Sequence, residues 1–136
     1  MGSEKIIADT CIWIEYFKGK TPLSDELMKL IKKRQIVITG LVVYELLQGA
    51  KNKKDADLIK EVTQALPIAE VALKTWLLAG DLFFDLRRRG ITLPPSDVLL
   101  SAIATENDCS LFTIDNHFNH IPKIRRYPSG LPSKRL

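Results

Sequence analysis

Short apolar runs alternate along this sequence with longer segments of helical periodicity, and this alternation is the feature that most restricts the fold. The four apolar runs have the length and composition of buried strands, and they lie at residues 5–8, 36–39, 66–69 and 110–114. Helical patterns occupy residues 11–18, 23–33, 41–50, 53–66, 71–89 and 97–107. Strands separated by helices predict an α/β fold with a parallel sheet that is covered on both faces.

The chain's 136 residues and 46% apolar content are typical of one domain with a full core, so we expect a single domain over residues 1–136. Residues 119–136 should form a basic, proline-containing tail with a short edge strand near Ile124. The sequence has no run of about 18 apolar residues, so no membrane span is predicted. The first residues also lack the apolar segment of a signal peptide. Cys11 and Cys109 have no CxxC spacing, which favours reduced thiols in a cytoplasmic protein.

Positive charge is concentrated in two places. Up to Asp115 the chain has 15 basic and 16 acidic residues, whereas residues 116–136 have five basic and no acidic ones. The second cluster is Arg87–Arg89. Basic patches on a near-neutral body are typical of proteins that bind RNA, although a solvated tail and a helix end stabilised by cations explain them equally well. The candidate RNA contacts are Arg87, Arg88, Arg89, Lys123, Arg125 and Arg126.

Three aspartates are predicted to lie at one edge of the sheet. Asp9 directly follows the first strand, and Asp115 directly follows the last one. Asp97 opens the helix that leads into the last strand, so it lies at the same carboxyl edge, where parallel sheets bind ligands. Asp97 also has a structural explanation, because Ser96 or Asp97 is expected to cap this helix after two prolines. The two roles are compatible.

A fourth carboxylate, Glu45, is the only charged side chain in the predicted helix at residues 41–50. The helix starts just after the second strand, so its first turns lie near the same edge. A charge in such an apolar helix is rare unless it is paired or bound to a ligand. The alternative is that Glu45 shares a solvent-facing stripe with Tyr44 and Gln48.

Carboxylates that lie together favour a metal. At about 4 Å and an effective dielectric of about 20, each like-charged pair costs on the order of 4 kcal/mol, unless a proton or a cation intervenes. No Lys or Arg is adjacent in sequence to Asp9, Asp97 or Asp115. Carboxylate oxygens favour Mg²⁺ or Mn²⁺, and no cluster has the spacing of a zinc site. A metal beside basic patches indicates phosphodiester hydrolysis.

Four segments, in chain order, resemble the motifs of PIN-domain ribonucleases, most closely the VapC-type toxins of type II toxin–antitoxin systems. They are IIADTCIWI, VVYELLQGA, PPSDVLLSAIA and LFTIDNHF, and together they extend from Ile6 to Phe118. The resemblance implies a three-layer αβα sandwich with a central parallel sheet. It also implies an endoribonuclease that depends on Mg²⁺ or Mn²⁺, a cognate antitoxin and a homodimer.

The family's site residues transfer to matching positions of this sequence. The resemblance implies four catalytic metal ligands, of which the last is the weakest: Asp9, Glu45, Asp97 and Asp115. The supporting positions that it implies are Thr10, Thr113, Gly49 and Phe118. Cys11 departs from the pattern, because many relatives have Ser, Thr or Asn there. A thiol is a weaker hydrogen-bond donor than a hydroxyl group.

Two other classes of protein were weighed against this interpretation. A receiver-like signalling domain also has an acidic pocket, but it needs an acidic pair after the first strand and a lysine after a late one. Here Asp9 stands alone, and Asn116 follows Asp115. A non-catalytic RNA-binding module explains the basic tail but not the four acids, and the sequence has no aromatic run for stacking bases. His117 and His120 match no motif for nucleophilic catalysis.

An antitoxin needs a surface on which to dock. Part of the apolar surface of the predicted helices at residues 23–33 and 41–50 is expected to form a groove for a partner helix, although a place in the core explains these positions equally well. These positions are Leu27, Leu30, Ile31, Val43, Leu46 and Leu47.

Overall fold

The structure, a computed structural model that describes residues 4–128, alternates strands with helices as the sequence predicts. The strands are β1 (Ile6–Ala8), β2 (Ile36–Thr39), β3 (Ile68–Ala69) and β4 (Ser110–Phe112). The helices are α1 (Thr10–Lys18), α2 (Pro22–Lys32), α3 (Gly40–Gln48), α4 (Lys53–Gln64), α5 (Leu73–Arg88) and α6 (Pro95–Glu106). A 3₁₀ helix, Asn116–His120, follows β4.

All paired strands in the sheet are parallel, and their order is β3-β2-β1-β4. The chain steps from β1 to β2 to β3 in one direction and then crosses back to β4. Because such crossovers are right-handed, α1 to α4 lie on one face of the sheet and α5 and α6 on the other. The expected α/β fold, with three αβα layers, is therefore confirmed. The strand order reverses beside β1 and β4, and ligands bind such sheets at that point.

The core is built around strands that are buried on both faces. Every residue of β1, β2 and β4 is buried, as expected for a parallel sheet between helical layers. Beyond β4 the chain returns to pair with it: Leu111 N donates to Arg125 O at 2.8 Å, and Tyr127 N donates to Leu111 O at 2.9 Å. Within the described residues this is a single parallel bridge between Leu111 and Arg126 and not the edge strand predicted near Ile124. The rest of the predicted tail, residues 129–136, lies outside the described residues.

The sequence favours Ser24 as the cap of α2 and Ser96 or Asp97 as the cap of α6, and both predictions are wrong. The cap of α2 is Thr21, whose hydroxyl accepts a hydrogen bond from Ser24 N at 3.0 Å. Ser24 lies within the helix, because α2 already begins at Pro22, a residue that suits the first turn since it has no N–H group to satisfy. Likewise α6 begins at Pro95 and no side chain caps it. Asp97 lies in the first turn, and its carboxylate is available for contacts with other elements.

The surface predicted for a partner lies only partly where it was expected, since α3 and Leu46 contribute to the groove that the structure has. All six side chains expected to line it pack in or against the core: Leu27, Leu30, Ile31, Val43, Leu46 and Leu47. An open groove of about 400 Å³ lies instead between α1, α3 and α4.

None of the helices within residues 4–128 is long and apolar enough to cross a bilayer.

Candidate metal centre

Asp9 is fixed where β1 ends. Its backbone N donates to Phe112 O of β4 at 2.9 Å, and its Oδ1 caps α1 by accepting a hydrogen bond from Thr10 N at 2.8 Å. Its Oδ2 accepts the hydroxyl of Thr113 at 2.7 Å and contacts Cys11 Sγ at 3.5 Å. The side chain is only 7% exposed, and this burial raises the pKa of Asp9, against the lowering effect of its hydrogen bonds.

Thr113 links two of the acids. Its buried hydroxyl donates to Asp9 and accepts a hydrogen bond from Asp115 N at 3.0 Å. Cys11 lies beside this pair, with its sulfur 3.6 Å from the Thr113 hydroxyl. Burial, and then the charge of Asp9, raises the pKa of Cys11 to about 11. The thiol is therefore protonated at neutral pH and acts as a weak donor to Asp9, which is how this position differs from the usual hydroxyl or amide.

Asp97 and Asp115 meet at the imidazole of His117. Nδ1 of His117 lies 2.7 Å from Asp97 Oδ2 and 3.1 Å from Asp115 Oδ1. Asp115 also accepts the backbone N–H of His117 at 2.9 Å, which starts the 3₁₀ helix. One ligand atom from each of these three residues lies within 4.8 Å of the other two. Sequence reasoning missed His117, although its position two residues after an acid at a strand end was a signal.

The three aspartates act on one another electrostatically. Burial is the main cause that raises the pKa of Asp97, and the charges of Asp115 and Asp9 raise it further. The ion pairs found within residues 4–128 give Asp97 and Asp115 a histidine partner but no lysine or arginine. Carboxylate oxygens together with one imidazole nitrogen are donors that suit a divalent cation such as Mn²⁺ or Mg²⁺. The residues therefore fit the expected metal.

Glu45 is joined to this group through Thr10. The hydroxyl of Thr10 donates to Glu45 Oε1 at 2.6 Å, and the backbone N of Thr10 donates to Asp9 Oδ1. Tyr44 and Gln48 are exposed and bonded to each other, whereas Glu45 is half-buried. Glu45 thus faces α1 and not a solvent stripe. It lies outside the close group formed by Asp97, Asp115 and His117.

Two further motif residues, Phe118 and Gly49, lie in the core and at the end of α3. Phe118 is 1% exposed and belongs to the core beneath the 3₁₀ helix. Gly49 is the residue at which α3 ends, and its backbone N–H bonds back to Glu45 O.

The arginine cluster lies at the end of the molecule that holds Asp97. Lys74, in the first turn of α5, pairs with Glu106 at the last residue of α6 at 3.4 Å. The two helices are therefore antiparallel, and Arg87–Arg89 lie where α6 begins. All three side chains are exposed.

The basic residues after the 3₁₀ helix are less suitably placed. Arg125 pairs with Asp108, which precedes β4, at 3.0 Å. Arg126 donates to the Asn119 side chain. Arg125 is thus turned toward the amino end of β4, away from the acids, while Lys123 is exposed.

Comparisons with known proteins agree with this fold. A search of curated protein sequences gives no match. Among solved structures, VapBC2 from Rickettsia felis bound to a DNA fragment from their promoter has a TM-score of 0.76 at 23% identity, covering 89% of this chain and 96% of that one. DNA-bound VapBC from Salmonella typhimurium gives 0.72 at 22%, covering 91% and 97%. A toxin–antitoxin complex from Klebsiella pneumoniae gives 0.72 at 20%, covering 87% and 93%.

At these identities the solved structures establish a shared fold. The family model of the PIN domain matches residues 6–124 of the sequence itself. Because that match extends over most of the chain, this protein belongs to the PIN domain family.

Proposed function

We propose that this protein is an endoribonuclease that depends on Mg²⁺ or Mn²⁺ and acts as the toxin of a toxin–antitoxin pair. The observation that carries the proposal is the convergence of three aspartates from distant parts of the chain at the carboxyl end of β1 and β4. Burial and then the neighbouring acids raise the pKa of Asp9 and Asp97, and the ion pairs of the described residues give the three aspartates no lysine or arginine. A divalent cation would stabilise such a group.

Each side chain has a defined part in this proposal. Asp97 and Asp115 would hold the metal from the start of α6 and the end of β4, and Asp9 would hold it from the end of β1. Thr113 and Thr10 keep the carboxylates of Asp9 and Glu45 in place, so that Glu45 completes the ligand set. When bound, the metal supplies positive charge for the phosphodiester and lowers the pKa of a bound water.

The position of Arg87–Arg89 supports an RNA substrate. These exposed arginines lie at the end of the molecule that holds Asp97, so a strand at the metal centre can reach them with its phosphates. Arg125, which pairs with Asp108 near the other end of β4, is a weaker candidate. Cys11 and Cys109 are free thiols, and they suit the reducing cytoplasm in which RNA is present.

The groove between α1, α3 and α4 supports an antitoxin partner. The apolar side chains that line it are Ile14, Phe17, Leu46, Leu58 and Ile59. The charged side chains Lys18, Lys51 and Asp55 also border it. Glu45 lines the groove too, so a helix lying in it would extend to Glu45, which Thr10 joins to Asp9. The solved relatives named above include a complex described as toxin and antitoxin.

A second exposed apolar surface, on α5, supports a homodimer. Its four side chains recur at helical spacing and are each more than half exposed: Leu73, Trp76, Leu77 and Phe84. Gly80 lies in the same stripe, and a Cβ there would meet nothing within 4 Å. In an antiparallel pair of α5 helices centred beside Gly80, Lys74 of each copy, which pairs with Glu106 of its own chain, would also lie opposite Asp85 of the other. The two copies thus complement each other in charge as well as in apolar surface.

The function is tested with the purified chain and a set of stem–loop RNAs. Cleavage should require Mg²⁺ or Mn²⁺, stop on chelation and be lost in Asp97→Asn. Asp108→Asn is the matched control, because it removes the same charge from an exposed turn beyond the other end of β4. RNA that is bound but never cleaved under any of these metal conditions would contradict the proposal and favour a non-catalytic RNA-binding module.

A further inference from the structure

His117 is placed differently from the other histidine of this segment. Its Nδ1 lies between two carboxylates, 2.7 Å from Asp97 Oδ2 and 3.1 Å from Asp115 Oδ1. His120, three residues later in the same 3₁₀ helix, is exposed and has no ion pair among those found within residues 4–128. The imidazole of His117 thus belongs to the acidic group, and neither the sequence motifs nor the four-acid ligand set accounts for it.

The distances around His117 are those of neighbouring ligands on one metal ion. In octahedral coordination with bonds of about 2.1 Å, two adjacent donor atoms are roughly 3 Å apart. The two separations from Nδ1 lie close to this value, and all three donor atoms fall within 4.8 Å of one another. The group therefore needs little rearrangement to surround a cation.

The backbone fixes the position of the imidazole. Asp115 Oδ1 accepts the His117 N–H, which sets the first turn of the 3₁₀ helix, and Phe118 is buried directly after it. The His117 side chain is 46% exposed, so water has access to the ring. A metal-binding Nδ1 offers its lone pair while the ring proton resides on Nε2, and water can accept a hydrogen bond from Nε2–H.

We propose that His117 is a nitrogen ligand of the catalytic metal and makes the site select Mn²⁺ over Mg²⁺. The inference rests on the proposed function, since it adds one ligand to the same metal centre. Imidazole binds transition-metal ions well, whereas Mg²⁺ takes oxygen ligands almost exclusively. The carboxylates alone would serve both ions, so the nitrogen of His117 supplies the preference.

The test is Mn²⁺ binding followed by electron paramagnetic resonance, with calorimetric titration of both ions. The Mn²⁺-loaded parent protein should have a ¹⁴N hyperfine coupling that changes to a ¹⁵N coupling when histidine is ¹⁵N-labelled. His117→Asn should lose it, because the amide keeps a hydrogen-bond donor near the Nδ1 position but no imidazole nitrogen. His120→Asn, the matched control, should keep it. In His117→Asn we expect Mn²⁺ affinity to fall about tenfold, with Mg²⁺ affinity changing less than about threefold.

The outcomes separate this inference from the proposed function. A parent that binds Mn²⁺ through Asp97 but has no histidine coupling would overturn the ligand role and leave the nuclease proposal standing. A Mn²⁺ affinity that is unchanged or higher in His117→Asn would also overturn it, because His117 would then only bridge the carboxylates. A parent that binds neither ion would overturn both. If His117→Asn fails to fold, the coupling in the labelled parent decides by itself.

Discussion

At the scale of single residues, Asp9, Asp97 and Asp115 lie close together at an electrostatic cost, and hydrogen bonds hold them in place. Burial raises the pKa of both Asp9 and Asp97, and the neighbouring acids add to the effect. An acid whose pKa is raised in the folded state stabilises the fold below its ordinary pKa and loses that contribution as the pH rises through the raised value. At neutral pH these carboxylates therefore destabilise the protein unless a cation is bound.

The effect of Asp97→Asn on stability should change sign when metal is bound. At pH 7 with a chelator, we expect the variant to be as stable as the parent or more stable by about 1 kcal/mol, since one charge of the group is removed. The difference should vanish near pH 3, where the parent's acids are protonated. With millimolar Mn²⁺ the parent should gain melting temperature and the variant much less, and cleavage should fall at least 100-fold or so.

Thermal melts with and without Mn²⁺, together with RNA cleavage, measure these effects. Asp108→Asn should behave like the parent throughout. A loss of stability in Asp97→Asn that is the same with and without metal would mean that Asp97 serves only the helix.

Thr113→Val should separate the positioning of the acids from packing. Valine keeps the shape of threonine but removes the donor to Asp9 and leaves Asp115 N without its partner, so we expect a loss of about 1–3 kcal/mol in the free energy of unfolding. Because the Thr113 hydrogen bond lowers the pKa of Asp9, that pKa should rise. The acid limb of Mn²⁺ binding should therefore move to higher pH.

Thr113→Ser retains the hydroxyl group and is the control for this effect. Its pH profile for Mn²⁺ binding should match that of the parent, even if packing costs some stability. Identical profiles for the valine and parent proteins would exclude the positioning role.

At the scale of elements, the final segment holds α2 as well as β4. Tyr127 N bonds to Leu111 in β4, and the Tyr127 hydroxyl donates to the carboxylate of Glu26 in α2. This hydrogen bond is the main cause that lowers the pKa of Glu26, whereas burial and then the same bond raise the pKa of Tyr127 to about 12. One side chain thus ties the chain's last described turn to a helix near its start.

Tyr127→Phe should cost stability only within a defined pH window. The contribution of Glu26 is fully present above its ordinary pKa of about 4.3 and is lost as the pH falls through its lowered value. That of Tyr127 is fully present below about pH 10 and is lost as the pH rises through the raised value. We expect a loss of about 1 kcal/mol between these limits, measured by urea unfolding from pH 3 to 10.

Tyr44→Phe is the control, since the Tyr44 hydroxyl accepts a hydrogen bond from Gln48 on the same helix. It should change stability little at any pH. A loss in Tyr127→Phe that is independent of pH down to pH 3 would contradict the role of Glu26.

At the scale of the whole molecule, two apolar surfaces lie on opposite layers, and only the groove includes one of the acids, Glu45. The groove of α1, α3 and α4 is on one layer, and the stripe on α5 is on the other. Trp76 and Leu58 are 56% and 48% exposed, so charged substitutions at either position should leave the core intact. Each surface can therefore be changed without changing the other.

Trp76→Glu should convert a dimer into a monomer, because it puts a charge into each copy of the α5 stripe. Leu58→Glu should keep the dimer but lose an antitoxin co-expressed from an adjacent small reading frame. Sedimentation velocity and co-purification measure the two effects. A Trp76→Glu protein that remains dimeric would place the self-association elsewhere.

The sequence by itself determined the fold and the edge at which the chemistry lies. Alternating apolar runs and helical patterns specify a parallel sheet between two layers, and Asp9 follows its strand directly. Such features depend on local periodicity and on strand ends, which a single sequence contains. The strand boundaries consequently differ by only a few residues from those predicted.

Only the tertiary structure decided which side chains meet. The contact of His117 with Asp97, the hydrogen bond from Thr10 to Glu45 and the location of the groove depend on how helices from distant parts of the chain are rotated and packed. Periodicity identifies an apolar face but not its partner, so of the six predicted groove positions only Leu46 lines the groove that the structure has. The contact of the Asp97 carboxylate with His117 has the same origin: the helix starts at Pro95 without a side-chain cap, and packing then brings its first turn to the segment that follows β4.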